Sequence, residues 1–133
     1  MANRDAARGR ALVQLINERT AACAEFIGWE RNRALTPETD LLVNATSIGL
    51  YPDLTACPDL DLDSLRPELV VADVIPNPPR TALLQAASGR GCTVLDGLGM
   101  LVNQGRLAIR YWTGAEADAE VMRRALEQAF SRS

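Results

Sequence analysis

Lysine and histidine are absent from the 133 residues, and all 14 basic side chains are arginines. Histidine, the side chain that most often moves a proton in an enzyme site, and lysine, another that does so, are therefore missing. Arginine stays protonated in proteins and is no substitute. Without histidine, Cys23, Cys57 and Cys92 have no imidazole with which to share a metal. Three cysteines so far apart are also an odd number for a disulfide framework. They read as reduced structural thiols, which places the chain in the cytoplasm. No apolar run approaches the ~20 residues that cross a bilayer, so no membrane is expected. The opening Met1-Ala2-Asn3-Arg4-Asp5 lacks the apolar core of a signal peptide. Seventeen acids against 14 bases give a net charge of −3, without the basic stripe that nucleic-acid binding leaves.

What is present is a chain of one domain's length, 47% apolar, enough for a single core. Asp5 is placed to cap a helix running to about Asn17, with Leu12, Leu15 and Ile16 on its inner side. Residues 24–28 are a short strand candidate. Thr36-Pro37-Glu38 announces one brief turn. Leu41 to Ala45 is apolar without alternation, as in a parallel strand covered on both faces. Residues 51–68, broken by prolines and rich in aspartate, read as a surface loop. Leu69 to Ile75 is the strongest strand. Pro76-Asn77-Pro78-Pro79 then forces an extended turn and starts a helix with Leu83, Leu84 and Ala87 inward, ended by Gly89 and Gly91.

The run Asp96-Gly97-Leu98-Gly99-Met100-Leu101-Val102-Asn103-Gln104-Gly105 carries the most information. A buried strand, Cys92 to Leu95, stops, a glycine turn follows, and a helix opens out of it. Gly97 and Gly99 remove side chains where a ligand or another backbone comes close. The first helical turn presents backbone N–H groups at the carboxyl end of a strand, where ligands settle in α/β sheets. Leu98, Leu101, Ala108, Ile109 and Trp112 fit one helical face. Thr113-Gly114 breaks the helix, and a last one, about Asp118 to Phe130, repeats apolar residues at helical spacing. Strands alternating with helices predict about four parallel strands with helices on both sides.

Four segments resemble the shikimate/quinate dehydrogenase family. Asn3-Arg4-Asp5-Ala6-Ala7-Arg8 resembles its Asn-Arg-Thr-x-x-Arg motif. Asn44-Ala45-Thr46-Ser47-Ile48-Gly49 matches its Asn-Ala-Thr-Ser-x-Gly segment. Asp73 to Leu84 resembles Asp-x-x-Tyr-x-Pro-x-x-Thr-x-Leu-Leu. Asp96 to Gln104 matches Asp-Gly-Leu-Gly-Met-Leu-x-x-Gln, with Trp112-Thr113-Gly114 following.

The resemblance implies a fold and a function. The expected fold is a partial, Rossmann-like doubly wound parallel sheet lacking its first strand and glycine-rich loop. Residues 1–133 would be the C-terminal portion of an NAD(P)-binding domain, with the N-terminal substrate domain and its proton-handling lysine and aspartate absent. The implied activity is NADP-dependent (or NAD-dependent) reversible hydride transfer between nicotinamide and a cyclic polyol acid, shikimate or quinate, in aromatic amino acid biosynthesis. The competing reading is a truncated, non-catalytic nucleotide-binding or interaction module.

In the implied site no catalytic residue lies in this chain. Arg4 and Arg8, one helical turn apart, would grip the 2′-phosphate of NADP. Asn3 belongs to that motif, and Asp5, where the family has threonine, offers a carboxylate to a ribose hydroxyl. Thr46 and Ser47 would line the cofactor edge. Val74 would lend backbone contact to the nicotinamide, together with Gly97 and Met100. Gln104 would bind a substrate hydroxyl. Pro76 stands where the family often carries a substrate-contacting tyrosine. Asp73 and Asp96 are read as capping and bracing residues rather than an acid–base pair. The missing first strand would lie between residues 24–28 and 41–45. Its loss predicts a rearranged sheet or homo-oligomerisation through an unpaired strand edge.

Overall fold

The computed structural model describes residues 1–130, which divide into two compact units, residues 1–33 and 34 onward.

In the first unit, α1 spans Ala6–Arg19 and is capped by Asp5, whose side chain accepts the Arg8 N–H. Its inner stripe differs from the expected one. Leu12 and Leu15 are 43% and 48% exposed, whereas Gly9 is buried and Val13 and Ile16 are half-buried. The cause is Phe26: a Cβ on Gly9 would lie 2.4 Å from its ring, so only glycine lets that ring reach the helix. The Arg10 guanidinium lies 4.9 Å from the centre of the same ring. The strand expected at 24–28 reduces to one parallel bridge, Ala2 with Ile27. The side-chain amide of Asn17 takes up the backbone of Ala24 instead, donating to its carbonyl at 3.0 Å and accepting its N–H at 2.7 Å. A side chain thus does locally what a neighbouring strand would otherwise do.

The second unit holds a parallel sheet of β1 (Leu41–Asn44), β2 (Val70–Asp73) and β3 (Thr93–Leu95), in that spatial order. The register pairs Leu41 with Val70, Asn44 with Asp73, and Ala72 with Leu95. Among the described residues the sheet therefore has three strands, not about four, and β1 is an edge. α2 (Ala82–Gly89) turns Leu83, Leu84 and Ala87 onto Val71 and Leu69, as the spacing predicted. Leu65 and Cys92 complete this core. The loop 51–68 contributes to the core rather than skirting it: Leu60 and Leu62 also pack there, and Leu62–Ser64 forms a short 3-10 turn.

The opposite sheet face is open. Leu41, Val43 and Leu95 are about half-exposed, and Val70 and Ala72 are their register partners on that side. β1 was expected to be covered on both faces and is covered on one, because every helix residue in the core cluster belongs to α2.

α3 (Gly97–Thr113) begins directly after β3, with Asp96 as cap and Gly114 in the left-handed region closing it. No separate glycine turn intervenes; Gly97 is already helical. A Cβ there would lie 2.4 Å from the Ile75 backbone and 2.7 Å from the Val74 carbonyl. Its neighbour is therefore a second backbone, while Gly99 faces open space. α4 (Ala119–Phe130) returns along α3, and a Cβ on Gly105 would lie 2.7 Å from the Met122 methyl. Trp112, placed on the inner face by its spacing, is 81% exposed, and Val102 is buried instead.

The two glycines make a test of close approach. Gly97→Ala meets immovable backbone and should cost about 3 kcal/mol. Gly105→Ala meets only the end of a flexible side chain and gains about 1 kcal/mol of helix propensity. Urea titration of both variants should show a large loss for the first and no loss, up to a gain of about 1 kcal/mol, for the second.

Candidate functional site

At the carboxyl end of the sheet four polar side chains form one bonded set. Asn44, the last residue of β1, donates through Nδ2 to Asp73 Oδ2 at 3.1 Å and to the Ile48 carbonyl at 3.3 Å. Its Oδ1 accepts from the Thr46 hydroxyl at 2.7 Å and the Thr46 N–H at 3.1 Å. Thr46 in turn accepts the Ile48 N–H at 3.1 Å. Asp73, 2% exposed at the end of β2, accepts the Thr81 hydroxyl at 2.8 Å and the Ile75 N–H at 3.0 Å. Thr81 caps α2. Burying a carboxylate here is sustained by this full set of donors.

The set defines what each nominated residue offers. The Thr46 hydroxyl proton is held by Asn44, so Thr46 presents a ligand with a lone pair rather than a donor. Ser47 is exposed. Gly49 adopts a φ of 98°, and a Cβ there would lie 3.1 Å from the Ala56 carbonyl. The Val74 N–H donates to the Asn44 carbonyl at 3.1 Å, so Val74 follows β2 rather than ending it. Its carbonyl borders Gly97. Met100 and Gln104, four apart on α3, are both exposed on one side of the helix.

Asp96 is a brace, as expected. It caps α3 through the Gly99 N–H at 3.2 Å and forms a bidentate pair with Arg123 of α4, Nη1 to Oδ1 at 3.2 Å. Burial acts to raise its pKa, yet the Arg123 hydrogen bond, the Gly99 and Leu98 N–H groups and the Arg123 charge together hold it below the usual carboxylate value. The Asp96 bond likewise raises Arg123.

The cysteines are all unpaired, and no group of side chains among the described residues suits a metal. Burial and the Asp73 charge push the Cys57 thiol up. Cys92 is buried and donates to the Arg66 carbonyl. Both are inert in those settings.

In the first unit, Asn3 Oδ1 accepts the Asp5 N–H at 2.9 Å. Asp5 accepts the Arg8 N–H and lies 3.3 Å from the Arg8 Nε. Its carboxylate thus caps its own helix. Because Asp5 is the cap, Arg4 precedes the helix, and the two arginines do not share its first turn. Both remain exposed. Two exposed guanidinium groups beside a helix start are a donor set that fits a phosphate dianion. An open cleft in this unit is lined by Arg10, Val13, Gln14, Ala24, Glu25 and Phe26, with none of the nominated residues among its walls.

A parallel sheet whose polar loops gather at the carboxyl ends, with a helix starting at the last of them, defines a partial Rossmann-like α/β fold. Residues 97–127 match the Shikimate 5′-dehydrogenase C-terminal domain. A shikimate dehydrogenase (NADP(+)) of Methanopyrus kandleri is 43% identical over 129 residues, covering 95% of this chain and 44% of that one. The 5-ketofructose reductase of Gluconobacter sp. strain CHM43 superposes with a TM-score of 0.90 at 48% identity, covering 97% of this chain and 46% of that one. A shikimate dehydrogenase solved with NADP+ superposes at 0.87 with 34% identity, covering 97% and 45%. The chain is therefore a relative of the shikimate dehydrogenases, matching their C-terminal part. It spans less than half the length of these relatives.

Sequence reasoning missed Asn44 and Thr81 as partners of Asp73, and Arg123 as the partner of Asp96. The only signal for the first two was their place in the motifs. For Arg123 there was none.

The lowered Asp96 pKa sets a sign for acid stability. The contribution of the pair is fully present above the unfolded carboxylate value, about 4, and vanishes as pH falls through the lower folded value. Asp96 and Arg123 are 26% and 39% exposed, so solvent screening keeps it below about 1 kcal/mol. Asp96→Asn should be less stable than the parent at pH 7, and urea midpoints should show that gap closing in strong acid.

Proposed function

We propose that this chain is the cofactor-binding part of an NADP-dependent oxidoreductase that interconverts a hydroxyl and a ketone on a polyol, with shikimate as substrate. The observation that carries the reading is the seating of Gly97 against the Val74–Ile75 backbone. It starts α3 at the sheet's carboxyl edge, with Met100 and Gln104 on an exposed side. NADP, when bound, supplies or accepts the hydride. Arg4 and Arg8 hold its 2′-phosphate. Thr46, Ser47, Val74, Gly97 and Met100 line its nicotinamide half, and Gln104 bonds a substrate hydroxyl. NAD is the lesser alternative, since it lacks the phosphate for which two guanidinium groups are suited.

The proton of the alcohol needs a handler within hydrogen-bond reach of the substrate. Without lysine or histidine these 133 residues supply none of the usual kind, so the polypeptide alone has no turnover. A second reading keeps the reaction and changes the substrate to a keto-sugar without a carboxylate. It is favoured by the 48% identity to 5-ketofructose reductase and by Pro76 in place of a tyrosine hydroxyl.

Two chimeras decide between them. One joins the chain to the uncovered part of the Methanopyrus enzyme, the other to that of the Gluconobacter enzyme. The first reading expects NADP-dependent shikimate turnover in the Methanopyrus chimera. The chimera that keeps the larger fraction of its parent's kcat/KM identifies the substrate, and no turnover in either would end the assignment. In the active chimera, Arg4→Ala should raise KM for NADP roughly tenfold or more, in line with loss of a charge-assisted pair. KM for NAD should barely change; equal effects on both would refute the phosphate role.

A further inference from the structure

The outer edge of the 24–28 segment has a gap one residue wide. The Met1 amino group donates to the Glu25 carbonyl at 2.7 Å, and the Ile27 N–H donates to the Met1 carbonyl at 2.8 Å. Residues 25 and 27 thus turn their backbone groups toward the start of the chain. Along an extended segment these groups alternate between the two edges, so residues 24, 26 and 28 turn theirs outward. Side chains close that outer edge at both ends. The Asn17 amide takes the Ala24 carbonyl and N–H, and Arg33 Nη2 donates to the Gly28 carbonyl at 3.3 Å. Between them the Phe26 N–H and carbonyl have no partner among the described residues. Phe26 is half-buried, where backbone groups ordinarily find one.

The gap opens into the cleft between α1 and residues 24–26, whose volume of about 480 Å³ is that of a small-molecule site. Its walls carry two opposite charges that do not meet. Arg10 and Glu25 both line the cleft, and neither forms an ion pair among the described residues. Arg10 lies instead over the Phe26 ring, which holds its guanidinium near the open backbone and leaves its N–H donors unused. Val13 and Ala24, both half-buried, supply apolar wall.

We propose that this cleft binds a free α-amino acid with an apolar side chain. Such a molecule carries one acceptor and one donor at the spacing of a single strand residue. Its carboxylate accepts the Phe26 N–H and its ammonium donates to the Phe26 carbonyl, the exchange made by one hydrogen-bonded antiparallel pair. The second carboxylate oxygen meets Arg10, and Glu25 balances the ammonium. A zwitterion thus matches walls that hold one charge of each sign. A longer peptide strand does not fit the edge, because its next bonds would fall on Ala24 and Gly28, which Asn17 and Arg33 already hold. None of the residues assigned to NADP or shikimate lines this cleft, so the inference stands apart from the proposed function.

The test is an amide NMR titration of the isotope-labelled 133-residue chain with three probes. These are leucine, leucinamide, which lacks the carboxylate, and isocaproate, which lacks the ammonium. Leucine should displace the Phe26 amide resonance saturably. Each analogue should bind roughly tenfold more weakly or worse, as loss of a hydrogen bond to a charged group implies. Arg10→Gln should weaken leucine by a similar factor and leave leucinamide unchanged, a difference that a general loosening of α1 would not produce. Should that variant fail to fold, the three probes on the parent chain decide alone. Equal binding of leucine and isocaproate would overturn the proposal, since it would reduce the site to apolar contact. So would the absence of a saturable shift, or one that moves resonances of α3 and the sheet while Phe26 stays in place.

Discussion

The carboxylate of Asp73 is the constraint on which the second unit depends. It is nearly without solvent, and every bond it makes ties a different piece of chain: Asn44 from β1, the Ile75 N–H just after β2, and Thr81 at the start of α2. A buried charge left without one of these donors would carry its desolvation cost uncompensated. The loops at the carboxyl end of the sheet are therefore fixed by the same group that closes the core behind them. Thr46 extends the set by a further step, through Asn44 to the Ile48 N–H. A ligand arriving there would meet a preorganised rim whose donors already have partners.

The start of α3 is fixed by a different means. Gly97 brings two backbones into contact, so the helix axis is set by sterics at its first residue. Asp96 then caps that helix and clamps α4 through Arg123. One carboxylate thus orders two helices, with burial opposing its ionised form and the guanidinium favouring it. Farther along the hairpin Leu107, Tyr111 and Trp112 are exposed, while Ile109, Met122 and Leu126 are half-buried.

What was legible in the sequence is what depends on near neighbours. The inward trio Leu83, Leu84 and Ala87 follows from spacing within one helix. The bracing roles of Asp73 and Asp96 follow from their places at strand ends. What was not legible depends on what lies across space. Asn44 becomes a partner of Asp73 only through the β1–β2 register. The inner side of α1 is set by Phe26, which a helical wheel of α1 does not contain. Leu41 and Val43 read as doubly covered because their own pattern is apolar; whether a helix lies over them is not written in those residues. Of the nominated site, the second-unit residues gather at the sheet's carboxyl edge and along α3. Asn3, Arg4, Asp5 and Arg8 cluster within the first unit.

The uncovered face of the sheet has a thermodynamic consequence. Leu41, Val43 and Leu95 are already half hydrated in the folded chain. Unfolding newly wets little there, and the heat-capacity increment of unfolding scales with apolar surface newly wetted. Calorimetry of this polypeptide would therefore report an increment smaller than its length implies. The missing share measures the apolar surface that folding leaves in water on that face.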